Sequence, residues 1–315
     1  MKTASAAAVA LALALASPLA HADEAKPKPP PPPPYSIPFG LRPVPAVNVV
    51  RWDTSFARYE DAASRPGLTV ATILTAAVRI PQTGPPTAGL SALLRLGMVT
   101  DVPVLGARGG SAVINPLVGA SYAIKTSFGL RFNAFLGLTL PIGGGGGDTP
   151  NGDSLAARQR GLNARAQLDN ALFEVNDFTS IPGVDVAWVG KGLTFQADHT
   201  LLQLTRVRGE LAQGEASKTN LTMGLHVGYF LIKQLSVAGE LRYQRWLNAP
   251  FAVEKDATGA SQDNLTFALG VRGHFKLADT IWIRPGLSYG RGLDKPMAAA
   301  TPNYHIVQLD VPFLF

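Results

Sequence analysis

The sequence predicts an antiparallel, up-and-down transmembrane β-barrel of about 12 strands with both termini on one side of the membrane. Three observations carry that prediction. Segments of about ten residues alternate apolar and polar side chains; the connectors alternate short and long; and the chain closes on an alternating strand that ends in phenylalanine.

The alternation comes first. Successive side chains of a strand point to opposite faces, so a period of two marks a strand with one apolar face. In a spanning barrel that face meets lipid and the other lines the interior. The clearest case places Phe128, Leu130, Phe132, Ala134, Leu136, Leu138, Leu140 and Ile142 on one face, against Gly129, Arg131, Asn133, Phe135, Gly137 and Thr139. Leu221, Met223, Leu225, Val227, Tyr229 and Leu231 repeat it against Thr222, Gly224, His226 and Gly228. Strands are expected at 47–58, 69–80, 89–101, 112–124, 127–142, 183–190, 193–207, 220–232, 235–246, 264–277, 281–290 and 304–315. A phase change near Leu201-Leu202 predicts a bulge there.

The connectors are an independent test. Lys125-Thr126, Lys191-Gly192, Lys233-Gln234 and Ala278-Asp279-Thr280 are tight, whereas 143–182, 209–220, 248–263 and 292–303 are long. Barrels of this kind have short periplasmic turns and longer outer loops. An even strand count leaves both termini periplasmic. Closure is what makes the arrangement stable, because an open edge in hydrocarbon strands unpaired backbone groups at several kcal/mol each.

The last strand reads YHIVQLDVPFLF. Val307, Leu309, Val311, Phe313 and Phe315 share one face, with Gln308, Asp310 and Pro312 on the other. This resembles the C-terminal signal strand that the barrel-assembly machinery reads, so that machinery is an expected partner, together with outer-membrane lipid.

The chain start predicts export. Lys2, the apolar run 6–16, Pro18 and Ala20-His21-Ala22 form a signal peptide over 1–22, cleaved after Ala22. Residues 23–45 follow as a proline-rich periplasmic linker containing Pro29 to Pro34, and 46–315 form the barrel. A proline run is a stiff extended spacer. The plain reading is a linker; the sharper one is a periplasmic arm that docks a partner or the cell wall. The 315 residues include no cysteine, which excludes lipid attachment, disulfides and thiolate metal sites. The net charge of +6 is scattered at strand spacing with no basic run, so nucleic acid is not an expected partner.

Parity along the strands gives candidate pore-lining residues: Arg131, Asp198, Glu240, Arg242, Arg272, His274, Arg284 and Asp310. Such charges either line a water path, where an excess of arginine favours anions, or pair across a filled interior. The loop GGGGGDTPNGD, 143–153, does not follow a strand-to-helix phosphate layout, and Asp148 and Asp153 lack calcium-loop spacing. No metal or other cofactor is expected. Residues 154–173 show weak helical periodicity and form either a short helix in the longest outer loop, folded in as a constriction, or a surface cap or long strand extension. None of the five histidines stands in a serine–histidine neighbourhood of a barrel hydrolase, so no catalytic residue is expected.

Three stretches carry a family resemblance: Asn115 to Tyr122 (NPLVGASY), Leu136 to Gly143 (LGLTLPIG) before a Gly/Asp loop, and Gly183 to Ala187 (GVDVA). In these the chain resembles the proteobacterial outer-membrane transporter family named for meta-pathway phenol degradation. That resemblance implies passive uptake of small compounds, hydrophobic or aromatic ones among them. The expected function is a channel for small solutes. The alternatives are a non-conducting structural or adhesive barrel and, third, a lipid hydrolase.

Overall fold

The computed structural model describes residues 35–60, 63–81, 88–209, 216–259, 261–294, 297 and 303–315. The expected signal peptide and the proline run 29–34 lie outside the described residues. In chain order the elements are β1 (Val49–Glu60), β2 (Pro66–Ile80), β3 (Ala88–Val102), β4 (Gly110–Val113), β5 (Leu117–Lys125), β6 (Leu130–Thr139), α1 (Gly152–Ala164), α2 (Asn170–Phe173), β7 (Asp177–Gly190) and β8 (Leu193–Arg206). There follow β9 (Ser217–Ile232), β10 (Leu235–Asn248), α3 (Phe251–Glu254), β11 (Asp263–Gly273), β12 (Phe275–Lys276), β13 (Trp282–Ile283), β14 (Gly286–Gly292) and β15 (His305–Leu314).

Every ladder is antiparallel, and β1 pairs with β15 from Val49↔Leu314 to Arg58↔His305, which closes the sheet on itself. The pieces form twelve staves. β4 and β5 are one strand, interrupted at Ile114 to Pro116. β11 with β12, and β13 with β14, are likewise single strands broken at His274 and at Arg284-Pro285. Two of the breaks hold a proline, which has no N–H for the ladder. At Asn115-Pro116 the register against β3 slips by one residue, from Met98↔Val113 to Arg95↔Leu117. The inward side chains accordingly change from Ala112 and Ile114 to Leu117 and Ala123.

The outer surface bears the apolar face. Phe132, Leu136, Leu225, Val227, Tyr229, Leu269, Leu287 and Leu309 are exposed on it, while their immediate neighbours in sequence turn inward. Leu269 sits in mid-strand opposite Gly239. Leu269→Arg is therefore expected to cost about 2–4 kcal/mol, the cost of a cation on the lipid face near the bilayer centre. Denaturant titration of the barrel folded into lipid vesicles checks it, with Leu269→Phe as the neutral control.

Three expectations are corrected. β7 starts at Asp177 rather than 183 and runs through Pro182; the ladder to β6 is continuous there, and only that to β8 skips Ile181 and Pro182. The strand expected over 127–142 is shorter, Leu130–Thr139. No bulge occurs at Leu201-Leu202, where the β8–β9 register is unbroken. The apparent slip has another cause: the inner face of β8 turns from polar to apolar, and Leu202 and Leu204 are both buried inward. They belong to an apolar cluster with Ile73, Val99, Phe173 and Trp246, which places a packed core inside one end of the barrel.

Candidate functional site: a lumen occupied from both ends

Two segments outside the strand ladders fill the lumen. The first precedes β1. Residues 35–45, expected as the end of a periplasmic linker, lie inside the barrel at the end that carries the short turns. The Tyr35 hydroxyl donates to Gln196 (2.6 Å), and the Ser36 amide donates to Thr194 Oγ1 (3.0 Å). Arg42 makes a two-pronged bond to Asp185, at 3.0 and 2.8 Å, and its side chain stacks on Phe135 at 4.2 Å.

The turn at Phe39-Gly40 is gripped most densely. Both amides donate to Glu240, whose carboxylate also accepts from Arg242 at 2.8 Å. The carbonyls of Ile37 and Pro38 accept from Arg272, and that of Phe39 accepts from Gln308 and Arg51. The wall makes room for the side chains of this segment with glycines. A Cβ at Gly228 would stand 2.3 Å from Ser36, and one at Gly224 would stand 2.4 Å from Leu41. Glycine in a strand interior commonly marks a place where another part of the chain comes close.

The second segment is the 140–176 connection, which enters from the opposite end. Asn151 caps α1 by accepting from the Asp153 and Ser154 amides, both at 3.0 Å. The helix then descends the inner wall of β1 to β4, with Ala157, Gly161 and Ala164 buried. Gly161 is needed for contact: a Cβ there would stand 2.5 Å from Phe173 and 2.7 Å from Val99. Below the helix Arg165 reaches mid-barrel and donates to both oxygens of Asp53 (2.9 and 3.0 Å) and to Asp169 (2.9 Å). Gln244 donates to Gln167 at 2.9 Å, so the segment bridges the lumen from β1 to β10. The expected helix in 154–173 thus exists and lies within the lumen, not over its mouth.

Between the two segments remains a cavity of about 330 Å³, bounded chiefly by β1, β2, β3, β5, β6 and β8, the 35–47 segment and the 168–172 turn. All eight candidate residues face the interior, but they divide by role. Arg131, Asp198 and Arg284 line the cavity. Glu240, Arg242, Arg272 and Asp310 are consumed in holding the N-terminal segment and each other; Arg272 pairs with Asp310 at 2.9 and 3.0 Å. His274 Nε2 lies 2.8 Å from Ser236 Oγ, a buried serine–histidine pair on neighbouring strands that the sequence spacing hides. Neither residue lines the cavity, and no carboxylate orients the imidazole among the described residues. Also among the described residues, no cluster of metal-ligating side chains occurs.

Sequence reading missed Tyr35, Phe39, Arg42, Asp53, Arg165, Asp169 and Asp185. A signal was present: after Pro34 the chain carries Tyr35, Ile37, Phe39 and Leu41, which a plain spacer does not need.

The ion pairs of the lumenal loop predict that acid weakens its seating. Burial pushes the Asp169 carboxyl up, but Arg95 and Arg165 outweigh it and hold the group at about 2, against an ordinary 3.8. Glu174 is likewise lowered: burial opposes its ionisation, and Lys218 and Arg158 overcome that. Groups depressed in the seated state stabilise it above their ordinary pKa and lose that contribution as pH falls through the depressed one. Ion flux through the barrel is therefore expected to be constant from pH 7 to about 4 and to rise toward pH 2. Asp169→Asn is expected to produce the rise already at neutral pH. Bilayer current recorded across a pH series checks both.

The closed antiparallel fold is that of bacterial outer-membrane β-barrels. In particular it is similar to an outer-membrane channel from Pseudomonas putida F1, with TM-score 0.55 and 12% sequence identity over 89% of this chain and 100% of that one. Weaker similarity extends to the KdgM porin (TM-score 0.44, 11% identity, 84% of this chain and 99% of that one). The β domain of the Bordetella autotransporter BrkA is comparable (TM-score 0.46, 12% identity, 85% and 99%). No family model matches the chain, and no curated protein does.

Proposed function

We propose that the chain is an outer-membrane channel for passive movement of small solutes, held narrow by two segments seated in its lumen. One observation carries the reading. The lumen is filled by an N-terminal strand-free segment and a loop, each anchored by side-chain bonds, with a cavity left between them. A barrel meant only as a structural element can fill itself with wall side chains; removable fillers suit a conduit. The fold shared with the P. putida F1 channel fits this reading, and the sequence resemblance suggests hydrophobic or aromatic solutes. In this reading Arg131, Asp198 and Arg284 line the path, the short-turn end is periplasmic, and the β15 strand serves assembly after export.

The runner-up is a non-conducting structural or adhesive barrel, favoured by the density of bonds on Phe39-Gly40. Purified, folded full-length protein is expected to give small discrete conductance steps in planar bilayers and solute flux in liposomes. Absence of both would leave the structural reading standing.

A further inference from the structure

The cavity is not neutral. Five arginines and three aspartates line it. Three of the arginines are spoken for: Arg42 by Asp185, Arg51 by Asp310 and Arg95 by Asp169. Arg131 and Arg284 are not, since neither guanidinium has a hydrogen-bond or carboxylate partner among the described residues, and the Nε of each is buried and unsatisfied. Arg131 is only 8% exposed, and its guanidinium lies 5.4 Å from the centre of the Tyr35 ring. Of the three carboxylates, Asp53 and Asp169 are already bonded by Arg165, and Asp198 accepts from the Arg42 backbone. A buried charge is ordinarily paired, because leaving it alone forfeits hydration with nothing in return. The lining also holds a set of apolar side chains, Leu93, Leu117, Phe135, Leu168 and Leu172.

We propose that this cavity binds a small organic anion with an apolar body, a monocarboxylate being the simplest case. Arg131 takes the carboxylate, Arg284 adds a second positive charge, and the leucine and phenylalanine side chains take the hydrocarbon. A guanidinium matches a carboxylate with two parallel N–H bonds. The volume is at the small end of ligand pockets, with room for one ring or a short chain and none for a lipid. The inference deepens the channel reading by naming its solute class, but binding is measurable without transport.

The test is equilibrium dialysis of the full chain in lipid nanodiscs at pH 7, with benzoate, benzyl alcohol and inorganic phosphate as probes. Benzoate is expected to bind saturably and to bind about tenfold more weakly to Arg131→Gln, the loss of a charge-assisted bond. Arg284→Gln is expected to weaken it less. Benzyl alcohol, lacking the charge, and phosphate, lacking the apolar body, are expected to bind more weakly than benzoate. Removing an unpaired buried cation relieves the wall, so the Gln variants are expected to fold, and a gel-shift on heating verifies it. Benzoate binding that is absent, or indifferent to Arg131→Gln, overturns the site, and phosphate binding equal to benzoate overturns the organic class. Benzoate bound through Arg131 without any liposome flux overturns the channel and leaves the site; flux without Arg131-dependent binding does the reverse.

Discussion

Replacing Glu240 with alanine is expected to unseat the N-terminal segment, widen the path and destabilise the barrel together. Glu240 accepts from the Phe39 and Gly40 amides and from Arg242, and it lies 3.4 Å from His226. Alanine would leave a buried guanidinium and two amides without acceptors. Breaking one side of a buried ion pair costs about 3–5 kcal/mol. Part of that cost is recovered if Arg242 and the segment move into water, and that recovery drives the segment out. Unfolding midpoints in denaturant should therefore fall, and single-channel conductance should rise. Glu240→Gln keeps one acceptor and the shape, so its effects should be smaller. Gly228→Leu provides an independent route: it crowds Ser36 without removing any charge, and it should also raise conductance. If neither Glu240→Ala nor Gly228→Leu changes the current, the segment is not in the path of ions.

The second large effect is expected from replacing residues 148–171 with a short glycine–serine link. This removes α1 and the Arg165 bridge while leaving every stave intact. Asp53 keeps its bond from Gln308, and Arg95 loses Asp169 but gains water in the opened lumen, so the electrostatic loss is small. The main cost is hydrophobic. Ile73, Val99, Leu204 and Trp246 lose their cover, at about 25 cal/mol for each Å² exposed. The two fillers lie one behind the other along the axis. Narrowings in series limit flow jointly, so removing either one leaves the other in control. The loop deletion combined with Glu240→Ala is accordingly expected to raise conductance by more than the two separate gains together. Additive or absent gains in planar bilayers would show that the fillers do not share one path.

The staves and their facing were legible in the sequence because lipid imposes a strict rule on every second side chain. Leu225, Val227, Leu269 and Leu309 obey it, and so do the inward Arg131, Glu240, Arg272 and Asp310. What occupies the interior was not legible. Parity assigns a side chain to the inside but does not tell whether water, another wall residue or a separate segment meets it there. Leu202 shows the difficulty: its inward apolar side chain mimics a register slip, and only the position of α1 and α2 explains it. Arg42 and Asp185 are a similar case, 143 residues apart with no local pattern to join them. The Ser236–His274 contact was hidden likewise, since it arises from strand pairing and not from spacing.

The closure between the first and last strands sets the order in which this molecule can assemble. The Phe39 carbonyl is held by Gln308, 269 positions later in the chain, and Arg51 on β1 reaches across to Asp310 on β15. Residues 39 and 51 must therefore wait for β15 before they can settle. Contacts of such long sequence separation are slow to form. Once seated, the segment rivets the β1–β15 seam from within, so that junction is braced against sideways parting in the bilayer.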